Sequence, residues 1–512
     1  MDRMDRVDFK PTVFPQLTAG DTDEAADAYA AAPLLNCLLR ELAEPTGRPG
    51  VHRLRASGRE LRVRGTRRPF APEAHADGAW HRLAHRELVE LAADELRLAT
   101  GVDNTRLPAE MTDSRDVVAA LLRARAAAPP PEDPYPRSEQ SLIMGHPYHP
   151  APKTRGGGPA AGWLPYAPEA HTRFPLELLA VREDTVVEEG DTRALDTLGR
   201  APDGYRLLPA HPWQLALTGD SPAIRDAFAD GRLLRLGPTA RPLWPTAAVR
   251  TLHAPEDDLF LKFSLDVRIT NDIRRLWRHD LLKARATDAA TAAAFAAQDG
   301  PAAWLSDRGW RTAGFAFEEL AVLVRDGLRG HLVPGATPLL AAALVEGFEG
   351  SPLDRLTDPS RWWAAYLRRT VPPVLEAFAR HGVVVEAHLQ NTLVAVDADG
   401  MPVQALFRDA EGVKLLPSVT RAAGWERLVY CLVVNHLSEL AALLAERFPG
   451  TDPWPAVRRE LHRCGEELGL PEAAALLSSP ALPGKTNLLL RWTDADGADA
   501  RYVPLPNPLA GT

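Results

Sequence analysis

Cysteine is scarce in this 512-residue chain: Cys37, Cys431 and Cys464 stand apart, with no CxxC pair and no even framework. That excludes a disulfide scaffold and fits a reducing, cytoplasmic compartment. Lysine is scarce as well. Of 59 basic residues only six are lysines, at Lys10, Lys153, Lys262, Lys283, Lys414 and Lys485. Where arginine is written almost everywhere, a lysine kept inside a motif carries information. The opening MDRMDRVDFK has no apolar stretch, which argues against a signal peptide, and residues up to about Asp21 read as loose. Long apolar runs are missing too: the best, Leu428–Leu444, is broken by Asn435, His436, Ser438 and Glu439 and reads as an amphipathic core helix. There is no surplus of positive charge. A net charge of −9 argues against general attraction to nucleic acid or membrane, so any anion site has to be built locally. Nor is there a P-loop, because Gly484-Lys485-Thr486 has Ser479 where the pattern needs its first glycine.

What is present is ordinary globular composition, 45% hydrophobic and 25% charged, at a length that implies two or three domains. Thr22–Glu44, Ala84–Ala99 and Ser114–Ala128 read as helices and Val51–Gly65 as a hairpin about Ser57-Gly58. The Pro-rich, acidic Ala128–Arg137 is the best boundary signal. Asp280–Gln298 reads as an Ala-rich helix, Arg311–Val324 takes no clear assignment, and Leu339–Phe348, Arg361–Arg380 and Val429–Arg447 read as helices.

The stretch Trp244–Arg275 organises the rest. Ala247–Leu252 predicts a strand, His253–Asp258 a turn, and Leu259–Val267 an alternating strand that sets Arg250 across from Lys262. Thr270 or Asn271 would then cap a helix with Arg274 in its first turn, where backbone N–H groups favour anions. Converging cations there suit a nucleotide triphosphate; a solvated cationic face is the alternative.

Two further segments carry polar chemistry. In Gly145–Gly158, GHPYHPAPKTRGGG, the HxxH spacing of His146 and His149 raises zinc. The prolines keep the segment extended and no third ligand stands nearby, so a rigid loop presenting His149, Lys153 and Arg155 is the better reading. His211, in LLPAHPWQ, reads as a satisfied histidine of a packed turn. In Gly382–Val413, strands are predicted at Val383–Val385, Thr392–Val396 and Val403–Phe407, with Glu386, His388, Gln390 and Asn391 in the first connection. Asn391 and Asp409, at neighbouring strand ends, are hard oxygen ligands suited to Mg²⁺.

Four segments together resemble one family. GHPYHPAPKTRGG resembles the His-Pro signature of NRPS-independent siderophore synthetases, the aerobactin-synthetase-like (IucA/IucC) family. PTAAVRTL with LKFSLDVRITNDIRR resembles its nucleotide-binding stretch, EAHLQN and the later RD its C-terminal active-site motifs, and KTNLLLR, with Lys485 and Arg491, its terminal Lys-to-Arg segment.

The resemblance implies an α+β, three-part cradle: a thumb at 1–137, a β-containing fingers domain at 138–335 and a mainly helical palm at 336–512, distantly like a kinase lobe. It implies carboxylate activation by MgATP, giving an acyl-adenylate and pyrophosphate, then displacement of AMP by an amine, hydroxylamine or alcohol. Arg250, Thr251, Lys262 and Arg274 would hold phosphates, Asn391 and Asp409 Mg²⁺, and His149, Lys153, Arg155 and His388 would face the acyl group. A homodimer with small-molecule substrates is expected. Ala248 stands where the family usually has serine, and the glycine run at 156–158 lacks the usual aromatic residue. The missing hydroxyl argues against free citrate as the acid. Two rivals remain. One is a small-molecule phosphotransferase, whose metal site HLQN and RD imitate although its catalytic-loop aspartate is absent. The other is a non-catalytic nucleotide-binding cradle.

Overall fold

The structure, a computed structural model, describes residues 19–495 and 501–510. The expected loose start therefore falls almost wholly outside the described residues, as does Lys10. Helices Ala19–Leu42, His85–Thr100 and Arg106–Ala126 pack with a five-stranded antiparallel meander whose strands follow chain order. Leu34, Leu38, Leu54, Leu61, Leu88 and Leu96 fill their shared core, and Leu488 and Trp492 from near the C-terminal end complete it.

In the middle of the chain a three-stranded sheet (Tyr205–Ala210, Glu177–Arg182, Leu233–Pro238) packs on a six-stranded antiparallel sheet. The order of the larger sheet is Trp244–Pro245, Thr251–Ala254, Leu259–Phe263, Val322–Asp326, Asp307–Ala313, Val186–Gly190. Leu179, Leu208, Leu252, Leu261 and Val324 lie between the two. The third core surrounds a four-stranded sheet, Ala303–Leu305, Pro402–Arg408, Thr392–Val396, Thr337–Leu340, covered by helices Pro359–His381 and Trp454–Leu468. Ala303–Leu305 pairs parallel with Pro402–Arg408, and the chain then passes straight into Asp307–Ala313. One short segment thus stitches two sheets together beside Asp409.

The helical run Arg421–Arg447 is long and apolar enough to cross a membrane by length and composition, and 72% of its apolar window is buried inside the protein. Its Val429–Leu437 part is π-helical, a geometry that recurs at functional sites.

Several expectations need correction. The single strand Leu259–Val267 is two, Leu259–Phe263 and Leu265–Ile269, and the first is buried on both faces because it is central to its sheet. Thr270 and Asn271 do not cap a helix. They form the loop of a hairpin joining Leu265–Ile269 to Asp272–Arg274, with Ile269 opposite Asp272 and Thr270 at φ 60°. Residue types that cap helices also make tight turns, and the alternation of Leu265, Val267 and Ile269 carries the strand into the turn. The helix starts at Arg278, so Arg274 lies on a strand. The expected strand Ala247–Leu252 joins its ladder only at Thr251, because residues 246–250 bend away with Val249 at φ 63°. Leu339–Phe348 opens as strand Thr337–Leu340 before a short helix; a brief apolar run does not tell the two apart. The unassigned Arg311–Val324 contains a strand end, a tight turn and the next strand.

Candidate active site

Thr251 and Lys262 are partners on adjacent strands of the six-stranded sheet. This corrects the expected Arg250–Lys262 pairing by one residue: Phe263 N donates to Arg250 O at 2.9 Å. Arg250 still reaches the same place, because the bend at Val249 frees its backbone. Its guanidinium donates to Glu411 at 3.0 Å and to the carbonyls of Arg274 and Arg275 at 2.9 and 3.0 Å. Lys262 Nζ lies 2.5 Å from Asp409 Oδ1 and 2.7 Å from Glu411 Oε2. Arg325, opposite Phe260, joins Asp409 at 3.1 Å and Asp307 at 2.6 Å. Charges therefore alternate in a line: Asp307, Arg325, Asp409, Lys262, Glu411, Arg250. Burial alone would raise the Asp409 and Glu411 carboxyls, but Lys262, helped by Arg325 at Asp409 and by Arg250 at Glu411, holds both well below the usual range.

The His-Pro loop is held from across the molecule. Glu346 accepts from Ile143 N and Met144 N, both at 2.6 Å, and from Gly145 N at 3.4 Å. His146 and His149 each turn Nδ1 back on the loop, accepting from Tyr148 N and Ala151 N. Burial lowers His146 to about 3 and holds His149 well below the usual imidazole range, so both rings are neutral. The two Nδ1 bonds make the HxxH spacing part of the loop's own turns, and among the described residues no cluster of three histidine, cysteine or acidic side chains surrounds it. Lys153 and Arg155 converge on the buried Glu169, at 2.5 and 2.8 Å. Burial would raise Glu169, but the two cations outweigh it and hold its carboxyl at about 2. Among the described residues Glu169 Oε2 and Arg155 Nε have no hydrogen-bond partner, so both keep bonding capacity at the cavity. His211 is the packed-turn histidine expected, its Nδ1 capping the helix Pro212–Thr218 by accepting from Trp213 N at 3.2 Å.

These segments, with Asn391 and His388, face one cavity of about 370 Å³. Ala248 is part of its wall. The backbone there is set by Glu139, which accepts from Ala247 N at 3.0 Å and is clamped by Arg408 at 2.6 Å. Burial keeps the His388 imidazole neutral and lowers the Lys485 ammonium. Arg491 does not join the cavity; it pairs with Glu110 at 2.5 Å. A polyanion suits the cations Arg250, Lys262, Arg274 and Arg325. The Asn391 carboxamide and Asp409 carboxylate fit Mg²⁺, which needs few protein ligands when phosphates supply the others. Sequence reasoning missed Glu139, Glu169, Arg325, Glu346 and Glu411. Only Glu411, two residues past Asp409, offered a local signal.

The model of the IucA / IucC family matches residues 134–346, and one described as a ferric iron reductase FhuF-like transporter matches residues 360–500. The chain is 30% identical to the L-2,3-diaminopropanoate–citrate ligase of Staphylococcus aureus over 439 residues, 74% of this chain and 75% of that protein. It is 26% identical to the spermidine-citrate ligase of Bacillus anthracis over 443 residues, 73% of each chain. Its fold matches ATP-bound aerobactin synthetase IucA of Klebsiella pneumoniae with a TM-score of 0.80 at 22% identity, covering 94% of this chain and 99% of that one. It also matches the petrobactin biosynthesis protein AsbB of Bacillus anthracis at 0.77 and 17% identity, covering 97% of each. With a relative of this identity matched over three quarters of its length, the chain belongs to the IucA/IucC family of NRPS-independent siderophore synthetases, enzymes that ligate an acid to an amine.

Proposed function

We propose that this enzyme activates a carboxylic acid with ATP and transfers the acyl group to an amine, hydroxylamine or alcohol, in the making of a siderophore or related metallophore. The observation that carries the reading is the alternating line of charges through Arg325, Asp409, Lys262, Glu411 and Arg250, on a cavity that also holds the His-Pro loop. Cations held by exchangeable carboxylate partners are suited to trade them for phosphates. Arg250, Thr251, Lys262 and Arg274 would bind the triphosphate. Asn391 and Asp409 would hold Mg²⁺, which supplies charge neutralisation across phosphate oxygens.

In the first step a carboxylate oxygen of the acid bonds to the α-phosphorus and the bond to the β-phosphate oxygen breaks, releasing pyrophosphate. In the second the nucleophile's lone pair attacks the acyl carbon, the bond to AMP breaks, and the nucleophile sheds a proton. His388, uncharged through burial, is equipped to accept that proton, and His149 shares the neutral state. Lys153 and Arg155, fixed by Glu169, would orient the acyl group. A thumb (1–137), fingers (138–335) and palm (336–512) closing about the cavity, a homodimer, a cytoplasmic location and independence from nucleic acid and membrane belong to the same proposal.

The test is a pyrophosphate-release screen pairing citrate, succinate derivatives, 2-oxoglutarate and aspartate with polyamines, amino acids and hydroxamate amines. AMP and pyrophosphate support the reading; ADP in their place would move the protein to the phosphotransferases.

A further inference from the structure

A buried arginine reaches the same cavity from the N-terminal sheet. Strands Glu60–Arg64 and Phe70–Ala76 are joined by a tight loop in which Gly65 takes φ 72°. A Cβ at Gly65 would come within 2.8 Å of Arg68 O, so the turn needs glycine. The loop is pinned on the far side. Arg67 pairs with Glu446 at 2.9 Å, and Arg68 donates to Val345 O at 3.0 Å. Arg68 is 6% exposed, and among the described residues its guanidinium has no carboxylate within ion-pairing distance and its Nε no hydrogen-bond partner. The nearest acid it faces, Glu346, spends its oxygens on the backbone of Ile143–Gly145.

Facing Arg68 across the cavity end is Glu439, 4% exposed, on the helix Ser438–Arg447. Among the described residues it too makes no ion pair; burial raises its carboxyl, while Arg67, Arg40 and Arg68 nearby and the Tyr148 hydroxyl, which donates to it, oppose that rise. Arg68 and Glu439 thus share one wall with no ion pair between them among the described residues, and the open Nε of Arg68 is a bonding deficit that a ligand can fill. These residues lie on elements other than those carrying Arg250 and Lys262. The one cavity thus presents charged groups to a ligand from a second side.

On the ligase reading above, we propose that Arg68 and Glu439 form the acceptor subsite and select an amine with an amino-acid headgroup. The carboxylate docks on Arg68, the α-ammonium meets Glu439, and the distal amine attacks the activated acid. A simple polyamine would bring only positive charge to the desolvated guanidinium and is disfavoured. A bare polycarboxylic acid would satisfy Arg68 but be repelled by Glu439.

The test compares binding of L-2,3-diaminopropanoate, L-ornithine and L-lysine with their decarboxylated diamines by calorimetry, using the full chain, Arg68→Met and Glu439→Gln. At least one diamino acid is expected to bind wild type about tenfold or more tightly than its diamine, as one charged hydrogen bond supplies. Arg68→Met should erase most of that ratio. Glu439→Gln, which keeps size and shape, should weaken lysine relative to 6-aminohexanoate, which has the carboxylate but no α-ammonium. Equal binding of diamino acids and diamines to wild type overturns the subsite, as does an unchanged ratio in Arg68→Met. So does an Arg68→Met variant that loses affinity only for the polycarboxylic acid. Acid-dependent exchange of pyrophosphate into ATP by wild type, run without amine, judges the ligase reading separately.

Discussion

Lys262 and Asp409, 147 residues apart in sequence, meet in a 2.5 Å ion pair. On the proposed plan one binds phosphate and the other a metal ion, and in the structure each is the other's counter-ion. Nucleotide binding on the proposed plan has to divide them: phosphate takes the ammonium and the metal takes the carboxylate. Arg325 and Glu411 make that exchange feasible, since each partner keeps a second contact of opposite charge.

Lys262→Ala and Arg274→Ala are expected to lower acid-dependent pyrophosphate release by about 10²–10³, the usual scale for a charged group acting on a developing transition state. Circular dichroism should remain native, because Asp409 keeps Arg325 and Glu411 keeps Arg250. Wild-type turnover and ATP affinity in both variants would remove these residues from the phosphate site.

Asp409→Asn keeps size but removes a hard anionic ligand, and the Mg²⁺ concentration for half-maximal activity should rise sharply. An unchanged Mg²⁺ titration places the metal on other groups.

Ala248 brings a methyl to the cavity wall where a serine would bring a donor. An oxygen left unmet there costs about 1–3 kcal/mol, enough to reduce efficiency tenfold or more. The expected acid is therefore one other than free citrate, and Ala248→Ser should improve residual citrate activity relative to the preferred acid. Robust citrate-dependent pyrophosphate release by wild type, undiminished against other acids, refutes this.

Glu41 gives stability a pH dependence. It accepts from Leu488 N at 2.9 Å and Leu489 N at 2.8 Å, and burial raises its carboxyl from 4.5 to about 7. With the folded value above the unfolded one, the native state holds the extra proton between those limits. This residue's contribution therefore falls as pH rises through that window, by at most about 1.4 kcal/mol per pH unit. The buried histidines His146, His149 and His388 contribute a slope of the opposite sign, so the test is a comparison: from pH 5 to pH 7 the denaturation midpoint of Glu41→Gln should rise more steeply than that of wild type. Parallel slopes in the two proteins would mean that Glu41 is ionised throughout.

The sequence was most legible where chemistry is local. Thr392–Val396 is a strand with the predicted bounds, and the helices predicted at Ala84–Ala99 and Arg361–Arg380 lie within one or two residues of His85–Thr100 and Pro359–His381. Thr270-Asn271 misled because capping and turning use the same side chains, and the choice is made by strand pairing further along. Glu139, Glu169 and Glu346 were silent for a different reason. Glu139 holds Ala247 over 108 residues and Glu346 holds Ile143 over 203. A supporting carboxylate leaves no periodic trace in its own neighbourhood.

The bond from Glu41 to Leu488 spans 447 residues. At ribosomal speeds of about 5–20 residues per second, roughly 20–90 s separate the synthesis of its two ends. Through that interval the N-terminal helices wait with the places of Leu488 and Trp492 unfilled. Lys485, which lines the cavity, arrives with the same late segment. The cavity is thereby coupled to synthesis of this late segment: a nascent polypeptide that stalls short of it carries the His-Pro loop and the paired charges, and still has an open wall.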